Sequence, residues 1–542
     1  MENNFLVIGF ILFFVVASIV ITWWTSRSSA SASDFYVAGK GVPWVQVGIA
    51  MVGSYLSAAS FLGCAGDLGV VGIDSVWLSV GFFGGYMALL LLIAGPLRNV
   101  GSFTVAGALF RRYPDNKIKL VITICTIIIS TFYLVPQMIG AGVLFTMLLN
   151  WDFLWTTIGI GTLISIYIIF GGMKSTLYNQ VIQALFLWVT MILLVVMAYF
   201  TVGDGFLDVL NTAAKAVPPI LAGKNPAVVE ALKDMTNADS LLAIDTARQL
   251  MPDAASAMTL GVRTDSSLAM VSMVVALIFG TAGLPHILIM FFTVKSASAA
   301  KKAVSLCIVA LGLFYLAAII LGFLLFPAIY PKLVSWISQG PTGVGLAKNM
   351  AVLEISNLVG GRWLVAIGAA GAVAAILSTA AGLMITVASA FSNDIYKVYI
   401  NRDATEEQGM LIARITTVVM SAVAVILALV LRDENIAWLV ALGFAIAASA
   451  IFPAMLGTLW WRRATRQGVI ASVLVGLGVS LVFIVLLLAG VKSFMGLPTA
   501  GGPGIIGVVA ALLTLWLVSL STNDTGKDAD QFLALAHKQD DS

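Results

Sequence analysis

The sequence predicts an all-α, multi-pass membrane protein of thirteen transmembrane helices, whose core consists of two five-helix blocks in opposite orientations. Three observations predict this fold class. Of the 542 residues, 60% are hydrophobic and only 10% are charged, whereas soluble domains carry roughly 25% charged residues. The apolar residues form segments long enough to cross a bilayer. The first segment of each block is interrupted by small or helix-breaking residues.

The apolar segments reach the length that a transmembrane helix needs, which is about 20 residues. They are 5–24, 43–71, 74–97, 119–149, 153–172, 178–203, 266–293, 303–327, 361–391, 411–431, 436–459, 468–489 and 503–520. The first resembles a signal peptide, but Glu2 precedes it, no Lys or Arg does, and Arg27 follows it. This charge pattern predicts a retained helix whose N-terminus lies outside.

The segments divide the chain into six regions. They are an extra helix with a cytoplasmic linker (1–42), the first block (43–203), an outer loop (204–265), the second block (266–467), two further helices (468–520) and a cytoplasmic tail (521–542). With an outer N-terminus, most of the 29 Lys and Arg residues lie on the cytoplasmic side, as the positive-inside rule requires. The two blocks then begin on opposite sides of the membrane, which is typical of an inverted-topology repeat.

Each block opens with a helix that the sequence predicts to be broken within the membrane. The first contains the stretch 55–72, which is rich in Ser and Gly where lipid-facing helices carry Leu and Ile. The second contains FGTAGLPH at 279–286, where Pro285 removes a backbone donor in mid-helix. Interruption of the first helix of both repeats is typical of transporters that bind their solute at the membrane midplane.

Several function classes lack their required motifs. The chain has no Gly-rich phosphate loop, ATPase signature or Ser/His/Asp arrangement, so neither an enzyme nor an ATP-driven pump is predicted. Its two His and three Cys residues show no metal-ligand spacing, and the cysteines fall in apolar segments. The net charge of +3 comes from basic residues sorted by membrane side, so no nucleic-acid partner is predicted.

Three motifs resemble those of the sodium/solute symporter family, namely DFYVAGKGVP at 34–43, GGMKSTLYNQVIQ at 171–183 and SNDIYK at 392–397. Four further motifs look most like the cation/acetate and short monocarboxylate symporters: YLSAASFLG at 55–63, GPLRN at 95–99, YLVPQMIGAG at 133–142 and FGTAGLPHIL at 279–288. The resemblance extends from about residue 34 to 468. It implies a leucine-transporter-like core with sodium as the coupling ion.

The resemblance implies a sodium site formed by the carbonyls of Gly53, Leu56 and Ala375 and the hydroxyls of Ser378 and Thr379. The spacing agrees, because residues three and four apart share a helix face, and neutral oxygens suit a hard monovalent cation. Alternatively, the two hydroxyls bond to carbonyls of their own helix. Gln180 stands where many family members carry an acidic residue, which predicts one sodium ion rather than two, and is a candidate coupling residue.

The predicted substrate is a small anion. No Lys or Arg lies deep in a core helix, so the bound sodium and the positive ends of the broken helices would balance its charge. The candidate substrate-binding residues are Tyr55, Ser57, Ser60, Gln137, Gly280, Thr281 and His286. His286 either binds a carboxylate or proton or is a structural hydrogen-bonding residue, and Asp67 is either a gate residue or a solvated carboxylate at a helix end.

The leading hypothesis is a sodium-coupled symporter of the bacterial inner membrane that imports acetate, pyruvate or a related monocarboxylate by alternating access. Proton coupling through His286 or Asp67, and sodium-coupled transport of an amino acid or sugar, are the alternatives within the same class. A channel and a membrane sensor are alternatives from other classes. The predicted partners are the bilayer and the carboxylate, and the sequence leaves the oligomeric state open.

Overall fold

The fold is described from a computed structural model of the 542-residue chain. The described residues are 5–26, 31–202, 205–263, 266–432, 436–491, 493–494, 497–498, 503–526 and 528–539. Arg27 and the boundary residues 204 and 265 of the predicted outer loop lie outside them.

The described chain is almost entirely helical. Its α-helices are α1 (Phe5–Ser26), α2 (Ala32–Val37), α3 (Trp44–Tyr55), α4 (Cys64–Val71), α5 (Val76–Ala88), α6 (Ala94–Val100), α7 (Val105–Arg112), α8 (Asn116–Leu149), α9 (Phe153–Val202), α10 (Phe206–Lys215), α11 (Pro219–Ala222), α12 (Pro226–Ala231), α13 (Ser240–Leu250), α14 (Ser267–Gly283), α15 (Pro285–Leu288), α16 (Ala297–Ile337), α17 (Pro341–Ala390), α18 (Glu406–Val430), α19 (Ile436–Trp460), α20 (Arg466–Leu488), α21 (Gly504–Ser521) and α22 (Ala529–Ala536). Short 3₁₀ and π-helical turns join several of them, and the strands β1 (Ser493–Phe494) and β2 (Leu497–Pro498) form a small antiparallel hairpin.

The predicted count of thirteen membrane helices is not confirmed. Within the described ranges, eleven helices are long and apolar enough to span a membrane, or twelve when the bent pair Trp44–Tyr55 and Ala59–Val71 counts as one. The predicted segment 153–172 lies in the 50-residue α9, where the apolar piece Phe153–Ile166 is shorter than a full span. Gly172 turns the chain within α9 with φ 57° and ψ −154°, a conformation that favours glycine.

Both predicted helix breaks are present. α3 ends at Tyr55, Leu56 is extended with φ −70° and ψ 94°, and the chain direction changes by 67° before the helix resumes. α14 ends at Gly283, Leu284 has nearly the same conformation with φ −70° and ψ 114°, and Pro285 begins α15. The breaks are buried inside the helix bundle. They therefore place irregular main chain where protein rather than lipid surrounds it, as a membrane protein requires.

Close helix packing positions these breaks. α9 and α17 pack against each other, and both contact α3. Small residues allow the close approach: a Cβ added at Gly53 would collide with the Gln180 carbonyl of α9, and one added at Gly66 with the Lys348 carbonyl of α17. Contacts of this kind hold membrane helices together where no hydrophobic driving force is available.

Hydrogen bonds from a buried arginine and contacts with the C-terminal helix stabilise one end of the bundle. The Arg112 guanidinium donates to several carbonyls in and just after the last turn of α19, including Thr458 at 2.5 Å and Arg462 at 2.7 Å. Asn99 of α6 donates to the carbonyls of Ala536 and Lys538, which fixes α22 at the same end. Helices of the 204–265 region pack at the opposite end: α10, α11 and α13 contact α16, and α12 contacts α13.

Candidate functional site

The break after α3 frees main-chain oxygen inside the protein. The N–H of Ser60 donates to the Ser57 carbonyl rather than to that of Leu56, which a regular α-helix would use. Leu56 and Gly53 are both buried. The Leu56 carbonyl therefore lacks its regular helical donor in a buried position, which leaves this oxygen available to a ligand.

The remaining predicted sodium ligands lie together on α17. Ser378 Oγ donates a 3.0 Å hydrogen bond to the Ala375 carbonyl, so these two residues share one face and Ser378 makes the local bond that the alternative interpretation expected. Thr379 does not: its Oγ1 has no hydrogen-bond partner among the described residues, although Thr379 is fully buried. An unsatisfied buried hydroxyl costs roughly 1–3 kcal/mol, which favours binding of a ligand at Thr379.

Gln180 connects the two halves of the predicted sodium site. Its Nε2 donates a 3.0 Å hydrogen bond to the Ser378 carbonyl on α17. Its main chain packs directly on Gly53 of α3. Its Oε1 has no partner in the part of the chain that the structure describes. The Gln180 amide therefore lies between the two groups of predicted ligands, with one oxygen available.

A polar niche beside Gly382 lies next to this site. A Cβ added at Gly382 would lie 2.6 Å from Ser54 Oγ, 3.1 Å from Gln180 Nε2 and 3.7 Å from His286 Cδ2. Ser54 Oγ and both ring nitrogens of His286 have no hydrogen-bond partner within the described ranges, and both residues are buried. Because Gly382 has no side chain, no hydrocarbon lies between Ser54 Oγ, Gln180 Nε2 and His286 at this point.

Tyr55 and Thr281 join the two broken helices. The Tyr55 hydroxyl lies 2.6 Å from Thr281 Oγ1 and donates to the Phe82 carbonyl at 3.0 Å. Thr281 Oγ1 donates to the Leu277 carbonyl at 2.7 Å. Two of the predicted substrate-binding residues, one from each block, therefore meet at a single point inside the bundle.

Tyr133 gathers further predicted substrate residues around the same point. Its ring lies 5.5 Å from the His286 ring, and its hydroxyl interacts with the Ser57 side chain. Gln137 Nε2 makes a long 3.5 Å bond to the Tyr133 carbonyl, and Gln137 Oε1 has no partner among the residues described. Ser60 is placed differently, with its Oγ 3.1 Å from the Tyr315 hydroxyl of α16.

Aromatic side chains that the sequence did not identify as site residues surround the break. The Phe444 ring lies 5.4 Å from the ring of Tyr133 and 6.0 Å from that of Tyr55. Gly280 packs directly on the Phe444 main chain, where a Cβ would collide. Tyr133 begins the YLVPQMIGAG motif, which was a usable signal. Phe444 lies in a uniformly apolar helix, and nothing in its neighbourhood along the chain distinguishes it.

Asp67 is buried rather than solvated, so its interpretation as an exposed helix-end carboxylate is wrong. It forms ion pairs with Arg263 and with Lys348, the latter with 2.8 Å between Oδ1 and Nζ. Only 3% of the Asp67 side chain is exposed. Burial lowers the pKa of Arg263 to about 10, which leaves the guanidinium charged at neutral pH.

Curated relatives match nearly the whole chain. An uncharacterized symporter, YwcA, of Bacillus subtilis is 34% identical over 541 residues, covering 98% of this chain and 97% of the relative. A monocarboxylic acid transporter of Corynebacterium glutamicum is 33% identical over 534 residues, covering 96% of this chain and 92% of the relative.

A solved structure shares the fold. The substrate-bound, outward-open state of a Na⁺-coupled sialic acid symporter superposes with a TM-score of 0.71, covering 97% of this chain and 99% of that one at 14% sequence identity. The model of the sodium:solute symporter family matches residues 35–476. Given this match and the two nearly full-length relatives, the chain belongs to the sodium:solute symporter family.

Proposed function

We propose that the protein is a sodium-coupled symporter that imports a small monocarboxylate, such as acetate or pyruvate, by alternating access. Family membership and the helix breaks support transport of a solute. The sodium and monocarboxylate parts of the proposal draw on the names of similar proteins and on the chemistry of the site.

The buried, unpartnered Thr379 hydroxyl is the observation that carries the sodium site. A cation bound to Thr379 Oγ1 would satisfy an oxygen that has no other partner within the described part of the chain. Ser378 donates its proton to the Ala375 carbonyl and keeps its oxygen lone pairs free to accept. The Gly53 and Leu56 carbonyls complete the proposed set of five neutral oxygens, which suits a hard cation of one charge.

The substrate site is proposed around Tyr55, Thr281, His286, Ser57 and Gln137. Hydroxyl, amide and imidazole groups can donate hydrogen bonds to a carboxylate, and the aromatic rings of Tyr133 and Phe444 suit a short apolar tail. Ser60 and Gly280 are proposed to border this site; they contact Tyr315 and Phe444 respectively. A sodium ion bound nearby would balance the carboxylate charge. Bound sodium would therefore raise the affinity of the protein for the carboxylate, and bound carboxylate would raise its affinity for sodium.

The proposed topology places the end that holds Arg112 and the C-terminal helix in the cytoplasm of a bacterial cell. The positive-inside distribution supports this orientation, since α7, the start of α16 and the segment after α19 carry clustered basic residues. The opposite end, with Asp67 and the helices α10 to α13, then lies outside. The two inverted five-helix blocks, with one N-terminal and two C-terminal helices added, remain the proposed arrangement.

Transport by purified protein in liposomes tests the proposal. Uptake of labelled acetate and pyruvate is measured with an inward sodium gradient and with equal sodium on both sides. The proposal expects accumulation only with the gradient, and counterflow of labelled acetate against unlabelled acetate inside. Equal uptake under both conditions contradicts it. Unitary currents in place of saturable uptake would indicate a channel.

Proton coupling through His286 is a second candidate. It is supported by the two ring nitrogens that lack partners in the described structure, at the break that begins α15. It predicts acetate uptake driven by an inward pH gradient in sodium-free buffer, and loss of that uptake in His286→Gln. Uptake that requires sodium at every pH, in both the wild type and His286→Gln, excludes this candidate.

A further inference from the structure

Three charged residues form a buried ion-pair cluster at the proposed outer end of the bundle. Asp67, on α4, pairs with Arg263, which precedes α14, and with Lys348 near the start of α17. Next to this cluster, the main chains of α4 and α17 are in direct contact. Gly66 has no side chain, and a Cβ at this position would collide with the Lys348 carbonyl. The cluster therefore lies at a direct contact between elements of the two predicted blocks.

The two cations are attached to different parts of the structure. Arg263 is held on the α4–α5 side: its N–H donates to Asp74 at 2.8 Å and its guanidinium donates to Ser75 at 3.2 Å. Asp74 also accepts from the N–H of Gly261, so two main-chain N–H groups already bind the Asp74 carboxylate. Lys348 instead belongs to α17 and reaches Asp67 across the contact at Gly66.

Separation of α4 from α17 would break these contacts unequally. Asp67 would keep Arg263, which Asp74 and Ser75 hold on the same side. Lys348 would lose the carboxylate that it contacts at 2.8 Å. Separation would leave the Lys348 ammonium without a counter-ion, and an incoming carboxylate can form a new charge-assisted hydrogen bond with it, which lowers the free energy of the open state.

We propose that Lys348 exchanges its partner during transport. It binds the Asp67 carboxylate when the outer end is closed, and it binds the carboxylate of the incoming substrate when the outer end is open. This proposal rests on the proposed function, and it names a binding residue for the class of small carboxylates. When the outer end closes again, Asp67 displaces the substrate from Lys348. The substrate is then free to move to the site at Tyr55 and Thr281.

The test is labelled acetate uptake by proteoliposomes at saturating sodium, with external acetate varied. Lys348→Gln is expected to raise KM about two- to fivefold, the range that corresponds to roughly 0.5–1 kcal/mol for a partly solvated ion pair, with Vmax changed less. Lys348→Arg keeps the charge and is expected to restore KM. Lys332→Gln, at an exposed lysine near the end of α16, is the control for general surface charge and is expected to leave KM unchanged.

Removal of the Asp67 carboxylate is expected to change the KM for acetate in the opposite direction. Asp67→Asn frees Lys348 for acetate, so KM is expected to fall, whereas a purely structural role predicts no such gain. An unchanged KM in Lys348→Gln, or a raised KM in Asp67→Asn with normal protein yield, overturns the exchange while wild-type uptake still supports the transporter. Absence of sodium-dependent acetate uptake by the wild type overturns the proposed function and the exchange together.

Discussion

The side-chain amide of Gln180 donates a 3.0 Å hydrogen bond to the carbonyl of Ser378. Gln180 is neutral and fully buried, so it cannot supply the negative charge that would help to hold a second cation at this position. Its Nε2 adds a second donor to the Ser378 carbonyl, which already accepts a main-chain N–H within the regular helix α17. The neutral amide at this position agrees with the proposed single ion site at Ser378 and Thr379.

One bound sodium ion predicts a hyperbolic dependence of transport rate on sodium concentration. Labelled acetate uptake, measured over a sodium series at fixed ionic strength, is expected to fit a single binding site. Choline replaces sodium so that screening does not change. A sigmoidal curve would contradict a single-ion mechanism and would require further ligands.

Loss of the Thr379 hydroxyl is expected to weaken sodium binding. Thr379→Ala and Ser378→Ala should each raise the sodium concentration for half-maximal acetate uptake about 10- to 100-fold, since one ligand to a charged group is worth roughly 1.5–3 kcal/mol. Thr386→Ala is the matched control, because Thr386 lies on the same helix and its hydroxyl bonds to the Gly382 carbonyl at 2.7 Å. If both test variants keep the wild-type sodium dependence, the proposed site is wrong.

Removal of the Tyr55 hydroxyl tests whether this group binds substrate or only stabilises the fold. Tyr55→Phe loses the contacts to Thr281 and Phe82 and is expected to raise KM for acetate about fivefold. Tyr330→Phe removes an equally buried hydroxyl that donates to the Val217 carbonyl at 2.7 Å, away from the proposed site. Both variants should lower the melting temperature, because each lost bond costs about 1 kcal/mol. Equal KM values in the two variants would show that Tyr55 does not act on substrate.

A methyl group at Gly66 is expected to hold the outer end open. In Gly66→Ala, the new Cβ collides with the Lys348 carbonyl, so net uptake should fall at least tenfold while external acetate still binds. Gly478→Ala places its methyl group in open space on α20 and should leave transport unchanged, with a small gain in stability from helix propensity. Uptake is measured by isotope accumulation and binding by scintillation proximity. Wild-type uptake in Gly66→Ala would show that this contact does not limit closure.

Arg112 is expected to be essential for stability and not for ion binding. Its guanidinium donates to several carbonyls in and just after the last turn of α19, and a lysine cannot reproduce this forked set of donors. Arg112→Lys should lower stability by about 3 kcal/mol, measured as a fall in melting temperature in detergent. Arg111→Lys, at the exposed neighbour, should melt like the wild type. A sodium affinity that changes in Arg112→Lys, at a temperature where the protein is folded, would contradict a purely structural role.

The sequence was informative wherever chemistry along the chain determines structure. Small residues after Tyr55 and the proline at 285 predicted both helix breaks, which are present at Leu56 and Leu284. Helical spacing likewise predicted that Ala375 and Ser378 share a face, and the 3.0 Å bond between them confirms it.

Contacts between distant segments could not be predicted in this way. Phe444 joins the site only because α19 packs on α14 and α8. Asp67 is buried because two cations from other parts of the chain reach it, and neither pairing has a local signal. The span count differs because the apolar helix Phe153–Ile166 is shorter than a full span, although Gly172 turns the chain where the predicted segment 153–172 ends.

The niche at Gly382 offers a way to sort related transporters by a single aligned position. A relative with alanine or a larger residue there would place hydrocarbon between the counterparts of Ser54, Gln180 and His286. In such a protein, the added side chain would keep the hydroxyl, the amide and the imidazole from facing one shared polar ligand. Glycine at this position therefore marks the transporters that can hold these three polar groups together in one buried niche.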